Sequence, residues 1–218
     1  MSDFSDEINN VYTVLSKNMG KGSLLEIRRL LHGRGGTWEG CSFLNVDFFP
    51  PALLITLYEE RNDLWKDTLS ELLLKHDSIS VVVFQDRSRV PWTNRVLGGV
   101  LPDPHIVEEN HLKYSVSLKR GENPGIFPDM RDGRSYVREI SKGKKVLNLF
   151  SYTCAFSVAA VEGGALSVLN MDMNSNSLSR GRENHQLNHH EKSKVNYLSH
   201  NILKSFGKIR KSGPFDLV

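Results

Sequence analysis

Hydrophobic and polar positions alternate with two different periods along the chain. Near the N-terminus, apolar residues at the i, i+3, i+4 and i+7 positions predict an amphipathic helix; they are Ile8, Val11, Tyr12 and Leu15. A shorter pattern over 23–31 predicts a second helix. Apolar runs over 53–58 and 79–84 predict buried strands, and one apolar face over 64–73 predicts a helix between them. This part of the chain is therefore expected to form an α/β unit.

From residue 105 onward, strand and helix patterns follow one another. Tyr114, Val116 and Leu118 alternate with polar residues, which predicts a half-exposed strand. A turn over 121–125 and the apolar pair Ile126–Phe127 would complete a β-hairpin. After it we predict strands over 146–150, 166–171, 195–198 and 215–218, and helices over 130–140, 153–162, 176–188 and 202–206. Such alternation predicts right-handed crossovers and a doubly wound parallel sheet.

The segment over 85–104 is polar and broken by proline and glycine, and it is predicted to be a hairpin plus linker. We therefore divide the chain into an N-terminal α/β domain, 1–104, and a Rossmann-like domain, 105–218. The charge changes sign near this boundary: residues 1–110 hold 11 Lys/Arg against 16 Asp/Glu, and residues 111–218 hold 17 against 9. A basic second half suits a polyanionic partner, although an ordinary solvated surface explains it equally well.

Composition narrows the class of protein. A hydrophobic share of 39% with 24% charged residues is typical of a globular protein. No apolar run reaches the roughly 18 residues of a membrane-spanning helix, and the acidic N-terminus does not resemble a signal peptide. Cys41 and Cys154 lie far apart without neighbouring metal ligands, so we expect no disulfide, no metal and a cytoplasmic location.

The turn after the strand that ends at Phe150 is the predicted ligand site, because ligands bind beyond the carboxyl ends of strands in such sheets. The turn, 151–157, lacks the Gly-x-Gly-x-x-Gly pattern of dinucleotide-binding enzymes, which disfavours a nicotinamide-dependent oxidoreductase. Its small and hydroxyl residues still let the backbone approach a ligand. The free N–H groups of the following helix suit a carboxylate.

Two polar residues follow the neighbouring strands. Asp172 ends the second strand, where a carboxylate can accept hydrogen bonds from both hydroxyls of a ribose. The alternative for Asp172 is a turn or helix-capping role. Asn201 follows the third strand, where its side chain could hydrogen-bond an adenine amino group. Both interpretations require these residues to converge with the turn after Phe150.

Three runs of residues resemble one known family. They are VEENHLKYSV over 107–116, GIFPDMRDGR over 125–134 and VLNLFSYTCAFSV over 146–158. The family comprises the large-subunit ribosomal RNA methyltransferases that make 5-methylcytosine or 7-methylguanosine. The resemblance is specific over about 105–218 and loose before it. It implies S-adenosylmethionine as cofactor, a Rossmann-like class I methyltransferase fold and a base of ribosomal RNA as substrate, with a homodimer as one option.

The resemblance also implies roles for individual residues. The residues from Asn148 to Thr153 would line the methionine part of the cofactor, Asp172 would hold the ribose, and Asn201 would face the adenine, where the family usually has Asp. A lid would be formed by Phe127, Asp129 and Arg131. The complete expected cofactor-binding set is Phe127, Asp129, Arg131, Asn148, Phe150, Ser151, Tyr152, Thr153, Asp172 and Asn201.

The residues that perform the transfer are not identified by the sequence. Cys154 adjoins the cofactor turn, and a 5-methylcytosine enzyme needs a thiolate, but the family packs a small residue there. Asp132 and Arg134 fit a solvated helix start or a ligand role equally well. In the family, the strand over 215–218 continues into an Asp-Pro-Pro-Phe-like motif, so we expect a truncated, incomplete domain. The alternative function is a non-catalytic module that binds RNA or a partner protein.

Overall fold

A computed structural model of the protein describes residues 2–119 and 123–218. The chain forms two compact units. Unit 1 contains the residues up to 108 together with 117–124, and unit 2 contains 109–116 together with 125–218.

Unit 1 is built on a five-stranded sheet in the order β1-β2-β3-β4-β5. Its strands are β1 (Arg28–His32), β2 (Leu44–Phe49), β3 (Ala52–Leu57), β4 (Val81–Asp86) and β5 (Thr93–Gly98), and its helices are α1 (Ser2–Met19) and α2 (Asp63–Leu73). Only β3 and β4 pair in parallel, and α2 connects them. Trp65 of α2 packs edge-on against Phe43 and Phe84 in the core, as the apolar face of this helix predicts.

The predicted strands over 53–58 and 79–84, the helix between them and the hairpin that follows are confirmed. The predicted helix over 23–31 is wrong, because residues 28–32 form β1. The physical reason is tertiary pairing: β1 is antiparallel to β2, and Arg29 forms a bidentate ion pair with Asp47 at 2.8 and 3.0 Å. Such cross-strand contacts override a weak helical pattern.

Unit 2 contains a parallel sheet in the order β10-β9-β8. Strand β6 (His105–Glu109) belongs to unit 1 up to Glu108. The elements of unit 2 are β7 (Leu112–Val116), α3 (Arg131–Ile140), β8 (Lys145–Leu149), α4 (Ala155–Glu162), β9 (Ser167–Asp172), α5 (Ser175–Leu187), β10 (Val195–Ser199) and α6 (Phe206–Ser212). A single parallel bridge joins Val146 of β8 to Leu217. Since β9 occupies one side of β8, the chain near Leu217 adds to the other side, and strand order reverses at β8.

Both faces of this sheet are covered by apolar side chains. Val146 and Val168 pack with Ala160 of α4. On the opposite face, Leu147 and Leu169 pack with Ile202, Ile209 and other apolar side chains. Parallel strands covered on both faces are the hallmark of the doubly wound α/β fold, which confirms the predicted fold class.

Three local predictions in the second half are wrong. The hairpin that contains β7 pairs it with β6, and the predicted partner Ile126–Phe127 forms no strand. Residues 121 and 122 of the predicted turn lie outside the described part of the chain. The helix predicted over 202–206 is a 3₁₀ turn, Ile202–Lys204, followed by α6. The strand predicted over 215–218 is reduced to the bridge at Leu217.

Candidate functional site

The turn after β8 has an unusual backbone. Phe150, Tyr152 and Cys154 all have positive φ angles, of 52°, 47° and 62°. Bulky residues rarely adopt this left-handed conformation, which costs of order 1–3 kcal/mol for each residue and is concentrated at functional sites. Contacts with β9 hold the turn in place: the N–H of Ser151 donates to the carbonyl oxygen of Met171 at 3.0 Å.

Asp172 joins this turn to the turn that follows β9. One carboxylate oxygen, Oδ2, accepts the N–H of Tyr152 at 2.8 Å, and the other, Oδ1, accepts the N–H of Asn174 at 2.9 Å. The Asp172 carboxylate therefore stabilises both turns, which is the structural role that the sequence also allowed for this residue. Each oxygen keeps a second lone pair, so the same side chain can also accept hydrogen bonds from a ligand.

A cavity of about 190 Å³ opens beside the turn. Six residues of the expected cofactor-binding set lie in its wall, namely Phe127, Asn148, Phe150, Ser151, Tyr152 and Thr153. Six of the ten expected residues thus meet at one hollow at the carboxyl end of β8, and the other four, Asp129, Arg131, Asp172 and Asn201, do not line it. This is the position where a doubly wound sheet binds its ligand.

The cavity wall offers hydrogen-bonding groups that the protein leaves unused. Ser151 Oγ is buried, and apart from the weakly hydrogen-bonding thiol of Cys154 it has no partner among the described residues. Ala155 and Phe156, the first residues of α4, also line the cavity, and this helix has no side-chain cap at Cys154. An uncapped helix start presents free N–H groups and a partial positive charge, which suits a carboxylate.

Thr153 has a structural role within the same wall. Its hydroxyl donates to the carbonyl oxygen of Gly125, and its own carbonyl accepts Asn184 Nδ2 of α5 at 2.9 Å. These two hydrogen bonds connect the turn to the segment before α3 and to α5. Gly125 has a φ of 117°, and a Cβ there would approach the carbonyl oxygen of Ser115 to 3.0 Å, so glycine is required for this close approach.

The segment from Phe127 to Arg134 forms another side of the cavity. The ring of Phe127 lies 5.7 Å from that of Tyr152, centroid to centroid. Arg134 also lines the cavity, and its guanidinium forms a buried bidentate pair with Glu109 at 2.6 and 2.7 Å and donates to the carbonyl oxygen of Phe127 at 3.0 Å. From the sequence alone, a solvated helix start and a ligand role were equally compatible with Arg134. Its position one helical turn beyond Met130, on the inward face of α3, is the signal that could have found it.

Asp129 and Arg131 are not in the wall of this cavity. Asp129 is an exposed residue of the 3₁₀ turn Pro128–Met130, and Arg131 donates to Asn110 Oδ1 at 2.7 Å. Their expected contribution to a lid stays a prediction.

Asn201 lies in the loop after β10. In the sheet register, Ser199 of β10 stands beside Asp172 of β9, and the N–H of His200 donates to the carbonyl oxygen of Asp172 at 3.1 Å. The side chain of Asn201 makes no capping hydrogen bond to the 3₁₀ turn that follows it. The loops that carry Asp172 and Asn201 are thus neighbours at the same end of the sheet as the cavity.

Cys154 is fully buried next to the turn. Burial raises the pKa of its thiol to about 12. A nucleophilic cysteine needs a lowered pKa and access to its substrate, so this thiol is suited to packing and not to attack.

Two other kinds of feature are absent from the described residues. In the part of the chain that the structure describes, no three His, Cys, Asp or Glu side chains are grouped so that they could hold a metal ion. No helix among the described residues is both long and apolar enough to cross a membrane.

Comparison with known proteins assigns the family. A family model described as S-adenosylmethionine-dependent methyltransferase matches residues 28–218. The ribosomal RNA large subunit methyltransferase I of Aeromonas salmonicida is 35% identical over 188 residues, which are 83% of this chain and 48% of that protein. The chain belongs to the S-adenosylmethionine-dependent methyltransferase family, and it spans about half the length of the curated relatives it matches.

Solved structures agree with this assignment. A Streptococcus mutans protein assigned as a SAM-dependent methyltransferase is 25% identical, with a TM-score of 0.82 over 95% of this chain and 55% of that one. A second structure, of a protein with a methyltransferase assignment in complex with S-adenosylhomocysteine (SAH), has a TM-score of 0.81 at 25% identity with the same coverage. The fold of this chain is therefore that of class I methyltransferases.

Proposed function

We propose that unit 2 binds S-adenosylmethionine at the carboxyl ends of β8 and β9 and that the protein transfers its methyl group to a base of ribosomal RNA. The observation that carries the proposal is the convergence of the strained turn after β8, the cavity beside it and the Asp172 carboxylate. This convergence occurs in a chain that belongs to the S-adenosylmethionine-dependent family.

The polar groups around the cavity fit the parts of this cofactor. The buried Ser151 hydroxyl and the uncapped start of α4 would hold the methionine carboxylate. The free lone pairs of Asp172 would accept the ribose hydroxyls, and Asn201 would contact the adenine. The adenosine end would thus lie toward β9 and β10, with the methionine end at β8.

The sulfonium group of the bound cofactor makes its methyl group intrinsically transferable. The protein therefore mainly has to bind the cofactor and the acceptor in line and exclude water. Phe127 and Tyr152, whose rings pack together over the cavity, are suited to excluding water. The buried Cys154 thiol does not fit the role of a cytosine-attacking nucleophile.

Two observations support ribosomal RNA as the acceptor. The curated relatives are named as methyltransferases of large-subunit ribosomal RNA. Residues 111–218 hold 17 Lys/Arg against 9 Asp/Glu, which favours binding of a phosphate backbone. Both a cytosine and a guanine target are compatible with these observations.

Calorimetry with SAH tests the cofactor site. We expect SAH to bind the protein and Asp172→Ala to weaken binding at least tenfold, because two ribose hydroxyls lose their acceptor and the turn at Tyr152 loses a hydrogen bond that holds it. Asp77→Ala, at an exposed position of unit 1, is the matched control and should bind as the wild type does. Absence of SAH binding to the wild type would contradict the proposal.

Transfer of a radiolabelled methyl group tests the acceptor. The protein should label large-subunit ribosomal RNA from a strain that lacks the enzyme, and nucleoside analysis would identify the base. Retention of RNA without cofactor affinity would instead indicate a non-catalytic RNA-binding module.

A further inference from the structure

A series of polar side chains runs from the cofactor cavity into the interior of unit 2. Asn148, in the cavity wall, donates through Nδ2 to Asn170 Oδ1 at 2.9 Å. Asn170 Nδ2 donates to Ser157 Oγ at 3.0 Å, and Ser157 Oγ lies 2.9 Å from His185 Nε2. Asn170, Ser157 and His185 are all buried. Buried polar groups linked in this way rigidify one another.

The series continues toward the surface through a second histidine. His185 Nδ1 lies 2.8 Å from His190 Nδ1. His190 Nε2 faces Glu162 Oε2 at 3.6 Å. We call Asn148, Asn170, Ser157, His185 and His190 the buried network.

The charge at its outer end favours one direction for the hydrogen bonds of the buried network. The Glu162 carboxylate lies 3.6 Å from His190 Nε2, which is longer than a hydrogen bond, but its negative charge favours the proton of His190 on the nitrogen that faces it. His190 Nδ1 is then an acceptor, and His185 Nδ1 must be the donor. His185 Nε2 is consequently an acceptor, which receives the hydroxyl proton of Ser157.

The inner end is determined by the same reasoning. With its proton directed to His185, Ser157 Oγ accepts from Asn170, which presents its amide nitrogen both to Ser157 and, at 3.5 Å, to the carbonyl oxygen of Asn196. Asn170 then offers its carbonyl oxygen to the amide nitrogen of Asn148. The carbonyl oxygen of Asn148 is the atom that this arrangement leaves for the cavity.

We propose that Ser157 and His185 are positioning residues, which hold Asn148 so that its carbonyl oxygen accepts a hydrogen bond from the ammonium group of the cofactor's methionine part. The inference rests on the proposed function and adds residues that do not touch the cofactor. Without the network, the side-chain amide of Asn148 could rotate by half a turn. Its NH₂ group would then oppose the ammonium group.

The test compares two ligands on three variants. Ser157→Ala and His185→Leu interrupt the network, whereas His185→Gln can keep an acceptor toward Ser157. His189→Asn, at an exposed neighbouring position whose φ of 56° suits asparagine, is the matched control. The ligands are SAH and 5′-methylthioadenosine, which lacks the amino acid part.

We expect Ser157→Ala and His185→Leu to weaken SAH binding about five- to tenfold, roughly one lost hydrogen bond, and to leave 5′-methylthioadenosine binding unchanged. His185→Gln and His189→Asn should bind SAH within about twofold of wild type. If both ligands are weakened equally, the residues act only on folding and the inference is overturned. Wild-type binding of SAH in that experiment would leave the proposed function standing.

A spectroscopic measurement tests the network without any ligand. ¹⁵N NMR of the histidine rings should find His185 as the Nδ1–H tautomer and His190 as the Nε2–H tautomer. The opposite tautomer at His185 would overturn the inference, because the bond directions would then be reversed. This readout also covers the case in which a variant fails to fold.

Discussion

The backbone N–H of Tyr152 donates to Oδ2 of Asp172 at 2.8 Å. The same carboxylate therefore stabilises the turn after β8 and is a candidate group for binding a ligand. Because Tyr152 has a positive φ, the strained turn and the acidic residue that ends β9 depend on each other. This relationship predicts that changes at Asp172 alter stability even when no cofactor is present.

For Asp172, we expect the alanine variant to lower the free energy of unfolding by about 1–3 kcal/mol, since the N–H groups of Tyr152 and Asn174 lose their acceptor. Asp172→Asn keeps one acceptor oxygen and should lose about half as much. Denaturant unfolding of the cofactor-free protein measures both. Equal stability of the alanine variant and the wild type would show that the turn does not depend on this carboxylate.

The buried pair between Arg134 and Glu109 should contribute strongly to unit 2. Both side chains are at most 3% exposed, so Arg134→Met leaves a buried carboxylate unpaired and should cost about 3–5 kcal/mol. Arg138→Met, on the same helix, removes a partly exposed pair with Glu162 and a hydrogen bond to the carbonyl oxygen of Asn110, and should cost about 1–2 kcal/mol. Urea unfolding distinguishes them, and similar losses for the two variants would contradict the prediction.

The stability of the protein should decrease in acid through His185. Burial lowers the pKa of His185 from its ordinary 6.5 to about 3, with a further contribution from His190, whose own pKa is lowered by burial. Below pH 6.5 the unfolded chain therefore binds protons that the folded chain does not, and the free energy of unfolding falls as the pH falls toward 3. One such group gives a slope of up to about 1.4 kcal/mol per pH unit.

Chemical denaturation between pH 8 and pH 4 measures this slope. In His185→Gln the contribution of His185 should disappear, whereas His189→Asn should keep it. An identical pH dependence in wild type and His185→Gln would refute the assignment.

Neither cysteine should react in the folded protein. Cys41 and Cys154 are both buried, and burial raises the pKa of each thiol. A disulfide reagent at pH 8 should modify both thiols only after denaturant is added, because the thiolate is the reactive form. Rapid modification of either thiol in the native protein would contradict this prediction, and modification located at Cys154 by mass spectrometry would reopen a reactive role for that residue.

The repeating hydrophobic pattern was sufficient to predict the alternation of β8, α4, β9, α5 and β10, because strands buried on both faces require long apolar runs. It failed where pairing partners decide the structure. Residues 28–32 became a strand through contacts with β2, and β7 pairs with β6 instead of with Ile126–Phe127. These strand pairs join different segments of the chain. A local hydrophobic period carries no information about which segments will pair.

The sequence by itself determined the doubly wound sheet and the strands whose ends carry the candidate site, since both follow from local periodicity and from the rule that ligands bind at strand ends. Only the tertiary structure decided what each side chain there does. Arg134 forms a buried ion pair with Glu109, and Arg131 donates a hydrogen bond to Asn110. Ser157 is hydrogen-bonded to both Asn170 and His185. Hydrogen bonds depend on distance and direction between atoms far apart in the chain, and those are known only once the chain has folded.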